Sequence, residues 1–257
     1  EARAAGLLPL DLLTPDAPTL GMMLPTSPLH LLLFKPLAGD PTRPFDLLVM
    51  TSGNRGGEPI CLSNAEALER LSGIADRFLC HDREINLRAD DSVAVLQGGL
   101  PQLWRRARGY APDALTLPHP LRRSVLAVGA ELKNAVAMGF GDRVVLSPHV
   151  GDIETPEALD GLERVARTLV RFLDRAPAAV ATDLHPDMQA TRLGRRLASE
   201  WGLPVAAVQH HHAHAAAVLA EHGLDAGLAL VMDGTGLGPD GTIWGAELLS
   251  VSPRGYE

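Results

Sequence analysis

Two stretches of the chain hold most of the side chains able to do chemistry. The first is Val208-Gln-His-His-His-Ala-His214, and five of the ten histidines fall between His210 and His222. With a helix running on from Ala213 to Ala220, His210 and His214 stand on one face at i, i+4. Two imidazoles so spaced can hold one metal ion, the arrangement of helical His-x-x-x-His zinc sites. The second stretch is Leu230-Val-Met-Asp-Gly-Thr-Gly236, where Asp233 closes an apolar strand over Leu228 to Met232. Its carboxylate completes a set of two histidines and one carboxylate that leaves positions open for substrate. Gly234, Thr235, Gly236 and Gly238 follow, offering backbone N–H groups and a hydroxyl to phosphate oxygens. A metal beside a phosphate cradle points to chemistry on a nucleotide or an acyl phosphate. Zinc, iron and manganese all suit such ligands, and the residue types do not choose among them.

Each half has a plainer explanation. A histidine cluster at a helix start is often a polar edge, and Asp-Gly-Thr-Gly is also the composition of a tight hairpin turn. The ordered succession of histidine pair, helix, apolar strand, aspartate and glycines favours the metal reading. His211 and His212 cannot share the face of His210 and His214, so they are read as outer contacts to the metal site or to substrate. Asp152 and Asp183 each end or follow an apolar stretch, where a carboxylate can orient a water on the metal or a nucleotide. His185, before Pro186, reads as a turn residue.

The elements that must position these groups form an α/β pattern. Leu29 to Phe34 and Phe45 to Met50 read as buried strands, and Asn64 to Ser72 as a helix capped by Ser63 or Asn64. Val93 to Leu96 and Gln102 to Arg106 read as paired strands around Gly98-Gly99. Pro112 to Pro120 has the composition of a linker, which places one domain at 1–118 and a second at 119–257. In the second, Val125 to Val128, Ala135 to Phe140 and Arg143 to Ser147 read as three consecutive strands. Pro156 to Leu173 is an amphipathic helix, Ala178 to Thr182 a strand ending at Asp183, and Met188 to Trp201 a helix. Leu228 to Met232, Gly241 to Trp244 and Glu247 to Val251 give a closing group of hairpin strands.

Composition excludes several classes. Of 257 residues, 46% are hydrophobic and 4% aromatic, so the cores are aliphatic. Net charge is −8 and no run of Lys or Arg exceeds two residues, so the footprint of a nucleic-acid binder is missing. No apolar run approaches the ~20 residues of a membrane span. Two separated cysteines, Cys61 and Cys80, suit a reducing cytoplasm without disulfides. The absence of an initial Met and the stop just after a strand mark the chain as an expected fragment of a longer polypeptide.

About ten motifs in order carry a family resemblance. Met22-Leu24-Pro25-Thr26-Ser27-Pro28-Leu29-His30, Met50-Thr-Ser-Gly-Asn54, His81-Asp-Arg83, Arg88-Ala-Asp-Asp-Ser-Val93 and Arg105-Arg-Ala-Arg-Gly-Tyr-Ala-Pro112 resemble the later half of a YrdC-like domain. Gly129-Ala-Glu-Leu-Lys-Asn134, His149-Val-Gly-Asp152, Asp183-Leu-His-Pro186, the histidine cluster and Asp233-Gly-Thr-Gly236 resemble the first half of the domain shared with TsaD-type tRNA-modifying proteins. Their succession resembles the HypF family, the carbamoyltransferases of nickel-iron hydrogenase maturation. The fold so implied is a partial YrdC-like α/β domain followed by the first lobe of an actin-like ATPase fold.

The resemblance implies a division of labour. An acylphosphatase domain, beside a zinc-finger region, releases carbamate from carbamoyl phosphate. The YrdC-like domain joins carbamate to ATP as carbamoyl-adenylate. The actin-like domain passes the carbamoyl group to the C-terminal cysteine of HypE, which dehydrates it to cyanide. ATP, Mg²⁺ and one divalent transition metal, Zn or Fe, are the implied cofactors.

Site residues follow from the matching motifs. Ser52 and Asn54 are assigned to ATP and Mg²⁺, against the alternative of a simple Asx turn. Arg105, Arg106 and Arg108 place three guanidiniums within four residues, suited to bidentate phosphate contacts, although alternation along a strand keeps Arg105 and Arg106 from facing one cleft together. Arg88 and Ser92 are further nucleotide candidates, and Asp90 and Asp91 either help hold Mg²⁺ or cap a turn. Lys133 and Asn134 would face phosphates in the actin-like fold, with edge packing the rival explanation. The metal set, His210, His214 and Asp233, would polarise the carbamoyl carbonyl while a thiolate attacks. An O-carbamoyltransferase of secondary metabolism uses the same two domains in the opposite order, which the order here disfavours. A non-catalytic nucleotide-binding or HypE-docking piece is the remaining alternative.

Overall fold

A computed structural model describes residues 8–35, 37–41 and 43–257. The chain divides into two compact units, Glu1–Ser52 and Gly53–Glu257.

The described part of the first unit holds two short helices, α1 (Leu10–Leu13) and α2 (Pro28–Phe34), and no strand. The expected strand at Leu29 to Phe34 is therefore a helix. Ser27 caps it by accepting the N–H of His30, and Pro28 takes the first helical position, where a missing N–H costs nothing. This local start signal outweighs the apolar run that follows it. Phe45 to Met50 has no regular structure. An apolar run becomes a strand only when another strand pairs with it, and among the described residues none does.

The second unit opens with α3 (Asn64–Leu71), capped by Ser63, which accepts the N–H of Glu66. Strands β1 (Val93–Gln97) and β2 (Leu100–Arg105) then form the expected antiparallel hairpin. Its turn residues Gly98 and Gly99 have φ of 60° and 81°, the left-handed region a two-residue turn demands.

Strand β3 runs from Ala114 to Ala127 and pairs antiparallel with β4 (Ala137–Leu146). Two sequence readings give way here. The supposed linker lies largely inside β3, so the 118/119 boundary falls within a strand. The two strands read at Ala135 to Phe140 and Arg143 to Ser147 are one, because Gly141 pairs with Leu121 and the ladder absorbs the irregularity as a register shift instead of a turn.

Helix α4 (Pro156–Phe172), strand β5 (Ala179–Asp183), helix α5 (Gln189–Trp201) and strand β6 (Val205–Val208) complete a four-stranded sheet of order β4-β3-β5-β6. Strands β3, β5 and β6 are parallel. Strand β6, four residues after Pro204, escaped the sequence reading. Leu162, Val165, Ala166 and Leu169 of α4 and Leu193 and Leu197 of α5 pack on Leu126 and Met138 of the sheet and on Val136 just before β4. Burial of the Leu, Val and Met side chains, each worth roughly 1.5–3 kcal/mol, makes the sheet a firm base.

Helix α6 (His210–Glu221) leaves the end of β6 and lies on a separate three-stranded sheet. That sheet comprises β7 (Gly227–Leu237), β8 (Ile243–Ser252) and β9 (Gly255–Tyr256). Ala215 and Leu219 of α6 pack with Leu249 and Val251, and with Ala229 and Val231 of β7. The Asp-Gly-Thr-Gly stretch is not a turn: it lies within β7, where the register shifts between Met232 and Gly236. Likewise Gly241 to Trp244 and Glu247 to Val251 are not separate strands, since β8 runs on through Gly245 and Ala246.

Candidate functional site

Parallel strands place their carboxyl ends side by side, and this sets the site. In the β5–β6 ladder Asp183 pairs with Val208, so the aspartate ending one strand lies beside the residue that leads into α6. Gln209, buried, caps the helix by accepting the N–H of His212 at 2.8 Å. From there the helical period separates two stripes. His211, Ala215 and Leu219 are the buried residues of the helix, and His210 and His214 run along the adjacent stripe. On β7 the two-residue period puts Asp233 on the face of Ala229 and Val231, which pack against α6. Helix and strand thus deliver their ligands to one point.

The distances there are short. The Nε2 atoms of His210 and His214 are 3.3 Å apart. Asp233 Oδ2 lies 2.8 Å from Nε2 of His210 and 3.3 Å from Nε2 of His214. Two atoms bound to one tetrahedral zinc are roughly 3.3 Å apart, so this spacing fits a single transition ion. His210 and Asp233 are half-buried and His214 is exposed, which leaves the point open on one side. The other nitrogen of His210, Nδ1, lies 2.6 Å from Oδ2 of Asp183. Burial by itself pushes the Asp183 carboxyl up, but the donors at His210 and at the His185 N–H outweigh it and hold it below the usual aspartate value. The Asp183 hydrogen bond correspondingly raises His210. For Asp233 burial again raises, while the Gly234 N–H and the two histidines bring the net value down.

The neighbouring histidines do something different. His211 is fully buried, with Nδ1 3.0 Å from Gln209 Nε2 and Nε2 2.6 Å from the Gly245 carbonyl. An amide nitrogen only donates, so Nδ1 accepts and Nε2–H donates to Gly245. His212 Nε2 lies 2.9 Å from the Ser252 carbonyl and its ring packs on Tyr256. Both bind α6 to the β7–β8–β9 sheet, so neither is an outer contact to the metal set. Gly236 belongs to the same packing, because a Cβ there would lie 2.6 Å from the His211 ring. Gly234 donates its N–H to Asp233 Oδ1 at 2.7 Å, so that group is not free for phosphate. Thr235, beside it, is exposed, and its hydroxyl has no hydrogen-bond partner among the described residues.

The nucleotide residues of the second unit read from the sequence do not converge in this way. Ser52 belongs to the first unit and is exposed. Asn54 donates from Nδ2 to the carbonyls of Arg55 and Glu58, both at 2.9 Å, and so shapes its own turn. Arg88 donates to the Ile60 carbonyl at 2.7 Å, faces Glu66 at 3.6 Å and abuts Gly161 of α4. It braces α3 against the neighbouring helix. Ser92 donates to the Arg108 carbonyl and accepts the Ala107 N–H, closing the base of the hairpin. Arg106 donates to the Asp113 carbonyl at 3.2 Å and Arg108 pairs with Asp91. Arg105 alone of the three has no side-chain hydrogen bond or ion pair among the described residues. It is close enough to His149 to lower that imidazole, after burial the largest cause.

Lys133 and Asn134 also separate. Lys133 is exposed with φ at 48°, and its backbone N–H donates to Asp152 Oδ1 at 2.6 Å. Asn134 is buried and donates to the carbonyls of Val128 and Ala130, clamping the loop after β3. Edge packing, the rival explanation, describes Asn134.

A partial YrdC-like domain followed by a Kae1-like lobe defines a class, and comparison with known proteins bears this out. Residues 4–107 match the Sua5, YciO and YrdC model, described as telomere recombination. Residues 120–221 match the HypF Kae1-like domain, and 229–257 match the second subdomain of the carbamoyltransferase Kae1-like domain. Carbamoyltransferase HypF2 of Cupriavidus necator is 51% identical over 90% of this chain and 30% of its own length. Carbamoyltransferase HypF of Synechocystis is 42% identical over 96% of this chain and 31% of its own. A crystal structure of full-length HypF in the phosphate- and nucleotide-bound form superposes with a TM-score of 0.74 at 41% identity, covering 80% of this chain and 27% of that one. The chain belongs to the HypF family. It spans about a third of the length of the curated relatives it matches.

Proposed function

We propose that this chain supplies parts of two active sites of a cytoplasmic carbamoyltransferase of nickel-iron hydrogenase maturation. The YrdC-like part serves formation of carbamoyl-adenylate from ATP, Mg²⁺ and carbamate derived from carbamoyl phosphate, with release of pyrophosphate. The Kae1-like part serves transfer of the carbamoyl group to the C-terminal cysteine of HypE. The observation that carries the transfer half is the meeting of His210 Nε2, His214 Nε2 and Asp233 Oδ2 within hydrogen-bond distances of one another. Three acceptor atoms do not crowd together unless a cation or a proton lies among them.

A divalent transition ion, Zn or Fe, held there supplies Lewis acidity to the carbamoyl carbonyl and a template for its orientation. The chain's own groups do the rest. His210 and His214 present lone pairs from one helix face, and Asp233 adds the negative charge that a dication requires. Thr235 offers a hydroxyl to the phosphate of the adenylate. In the YrdC-like part Arg105 has donors to spare and is the arginine best placed to meet phosphate. During transfer the cysteine, as its thiolate, bonds through sulfur to the carbamoyl carbon as the bond from that carbon to the phosphate oxygen breaks and AMP leaves with the electron pair.

The test uses the full-length protein with HypE, ATP and carbamoyl phosphate. Asp233→Ala should keep exchange of pyrophosphate into ATP while HypE gains no carbamoyl mass. Loss of exchange together with transfer would show that the two sites are not separate in the way proposed.

A further inference from the structure

Asp183 lies 50 positions from Asp233 in the sequence and belongs to a different sheet, yet it completes the surroundings of the same histidine. It ends β5, is 8% exposed, and both of its oxygens are directed. Oδ1 accepts the backbone N–H of His185 at 2.8 Å, and Oδ2 faces Nδ1 of His210 at 2.6 Å. A carboxylate has no proton to give, so Nδ1–H of His210 is the donor. The neutral imidazole then has its lone pair on Nε2, the atom that faces His214 and Asp233.

We propose that Asp183 is a positioning residue that fixes the ring orientation and tautomer of His210 so that its Nε2 binds a divalent transition ion. This rests on reading His210, His214 and Asp233 as the ligand set. Ligating histidines donate their second ring N–H to a carboxylate or carbonyl, which sets the ring and raises the basicity of the ligating nitrogen. A plain anchoring role for the Asp183 contact is superfluous here. The helix start is already capped by Gln209, and His211 and His212 already tie α6 to the Gly245 and Ser252 carbonyls. The arrangement also explains why adjacent histidines behave so differently. His210 is held with its proton on Nδ1, and His211, between Gln209 and Gly245, with its proton on Nε2.

The experiment takes the full-length protein with its zinc-finger sites already filled and measures the Zn²⁺ affinity of the remaining site by competition with a chromophoric chelator, and the visible spectrum of Co²⁺ bound there. Asp183→Ala and Asp183→Asn should bind Zn²⁺ about 10- to 100-fold more weakly, the effect expected when such a carboxylate is lost. Asp183→Glu should recover part of the affinity, and His210→Ala should recover none. Wild-type affinity in the Ala and Asn variants, with binding lost in His210→Ala, overturns the proposal and leaves the ligand set standing. Wild-type affinity in His210→Ala as well overturns the ligand set, and the role of Asp183 with it. Should the Asp183 variants not fold, ¹⁵N spectra of the Zn²⁺-loaded wild type decide. A protonated Nδ1 on His210 supports the assignment, and a protonated Nε2 overturns it.

Discussion

The arginine stretch 105–108 and the histidine stretch 210–214 are both dense in reactive side chains, and only one of them converges. On α6 the four-residue spacing of His210 and His214 matches the helical repeat, so both imidazoles reach one point, where β7 adds Asp233. Only Arg105 of the three arginines lies in β2; Arg106 and Arg108 follow the strand's end, where no regular repeat aligns their side chains. Arg106 and Arg108 find a backbone carbonyl and Asp91, and Arg105 is left without a partner among the described residues. Density of charge is therefore a weaker sign of a site than spacing that agrees with the period of the element.

The largest effect that would break this comparison concerns the metal. His210→Ala combined with His214→Ala should lower the divalent ion content of the full-length protein by about one ion per chain, by elemental analysis, because two of the three ligands at this site go while any zinc-finger ions stay. Unchanged content would place the metal elsewhere and leave the helix no more convergent than the strand.

On the arginine side, Arg105→Ala should depress carbamoyl-phosphate-dependent exchange of pyrophosphate into ATP by at least about tenfold, a lost charged phosphate contact being worth roughly 1.5–3 kcal/mol. Arg108→Ala should change it much less, since that side chain is already paired with Asp91. Equal losses in the two variants would mean that the three guanidiniums act together after all.

A third comparison lies within the histidine cluster. His211→Ala should reduce stability to denaturant by about 2–3 kcal/mol, since it empties a buried site and strands the Gly245 carbonyl. His210→Ala, half-buried, should cost less stability while removing the metal. Gly236→Ala should behave like His211→Ala, because its Cβ would meet that ring. A Gly236→Ala protein of wild-type stability would return this glycine to the phosphate-binding role.

The smallest expected effect is electrostatic. Glu163 of α4 is held below the usual glutamate value chiefly by the hydrogen bond from Arg196, with burial opposing and Arg167 assisting. A carboxyl lowered in the folded state contributes stability above its unfolded value, and that contribution is lost as pH falls through the folded one. Thermal unfolding should thus show a loss that begins near the ordinary glutamate value of 4.5 and continues below it. Arg196→Ala should shrink that loss, at a cost near neutrality of about 1 kcal/mol or less. An acid limb identical in the variant would remove Glu163 from the account.

How much of this was readable beforehand divides along physical lines. Periodicity is a local property, so the amphipathic helix from Pro156, the Gly98-Gly99 hairpin and the helix from His210 were legible from residues alone. The i, i+4 histidine pair was legible for the same reason. Strand readings failed where only a pairing partner decides, as at Phe45 to Met50, in the continuous β3 and β4, and in short β6. Ser27-Pro28 is a local helix-start signal, and it makes α2 of an apolar run that its apolar character alone would leave as a strand.

The site divides in the same way. The sequence by itself determined the identities and spacing of His210, His214 and Asp233, and the family to which their order points. Only the tertiary structure decided which groups surround them. Asp183 reaches His210, 27 residues on, because parallel pairing of β5 with β6 sets Asp183 beside Val208, a contact that no local pattern encodes. The same folding buried His211 against Gly245 and Gly236, and spent the side chains of Asn54, Ser92 and Arg88 on carbonyls of their own neighbourhood. A polar residue type states which bonds a side chain is able to make. Which of them it does make depends on the acceptors that long-range packing brings within about 3 Å.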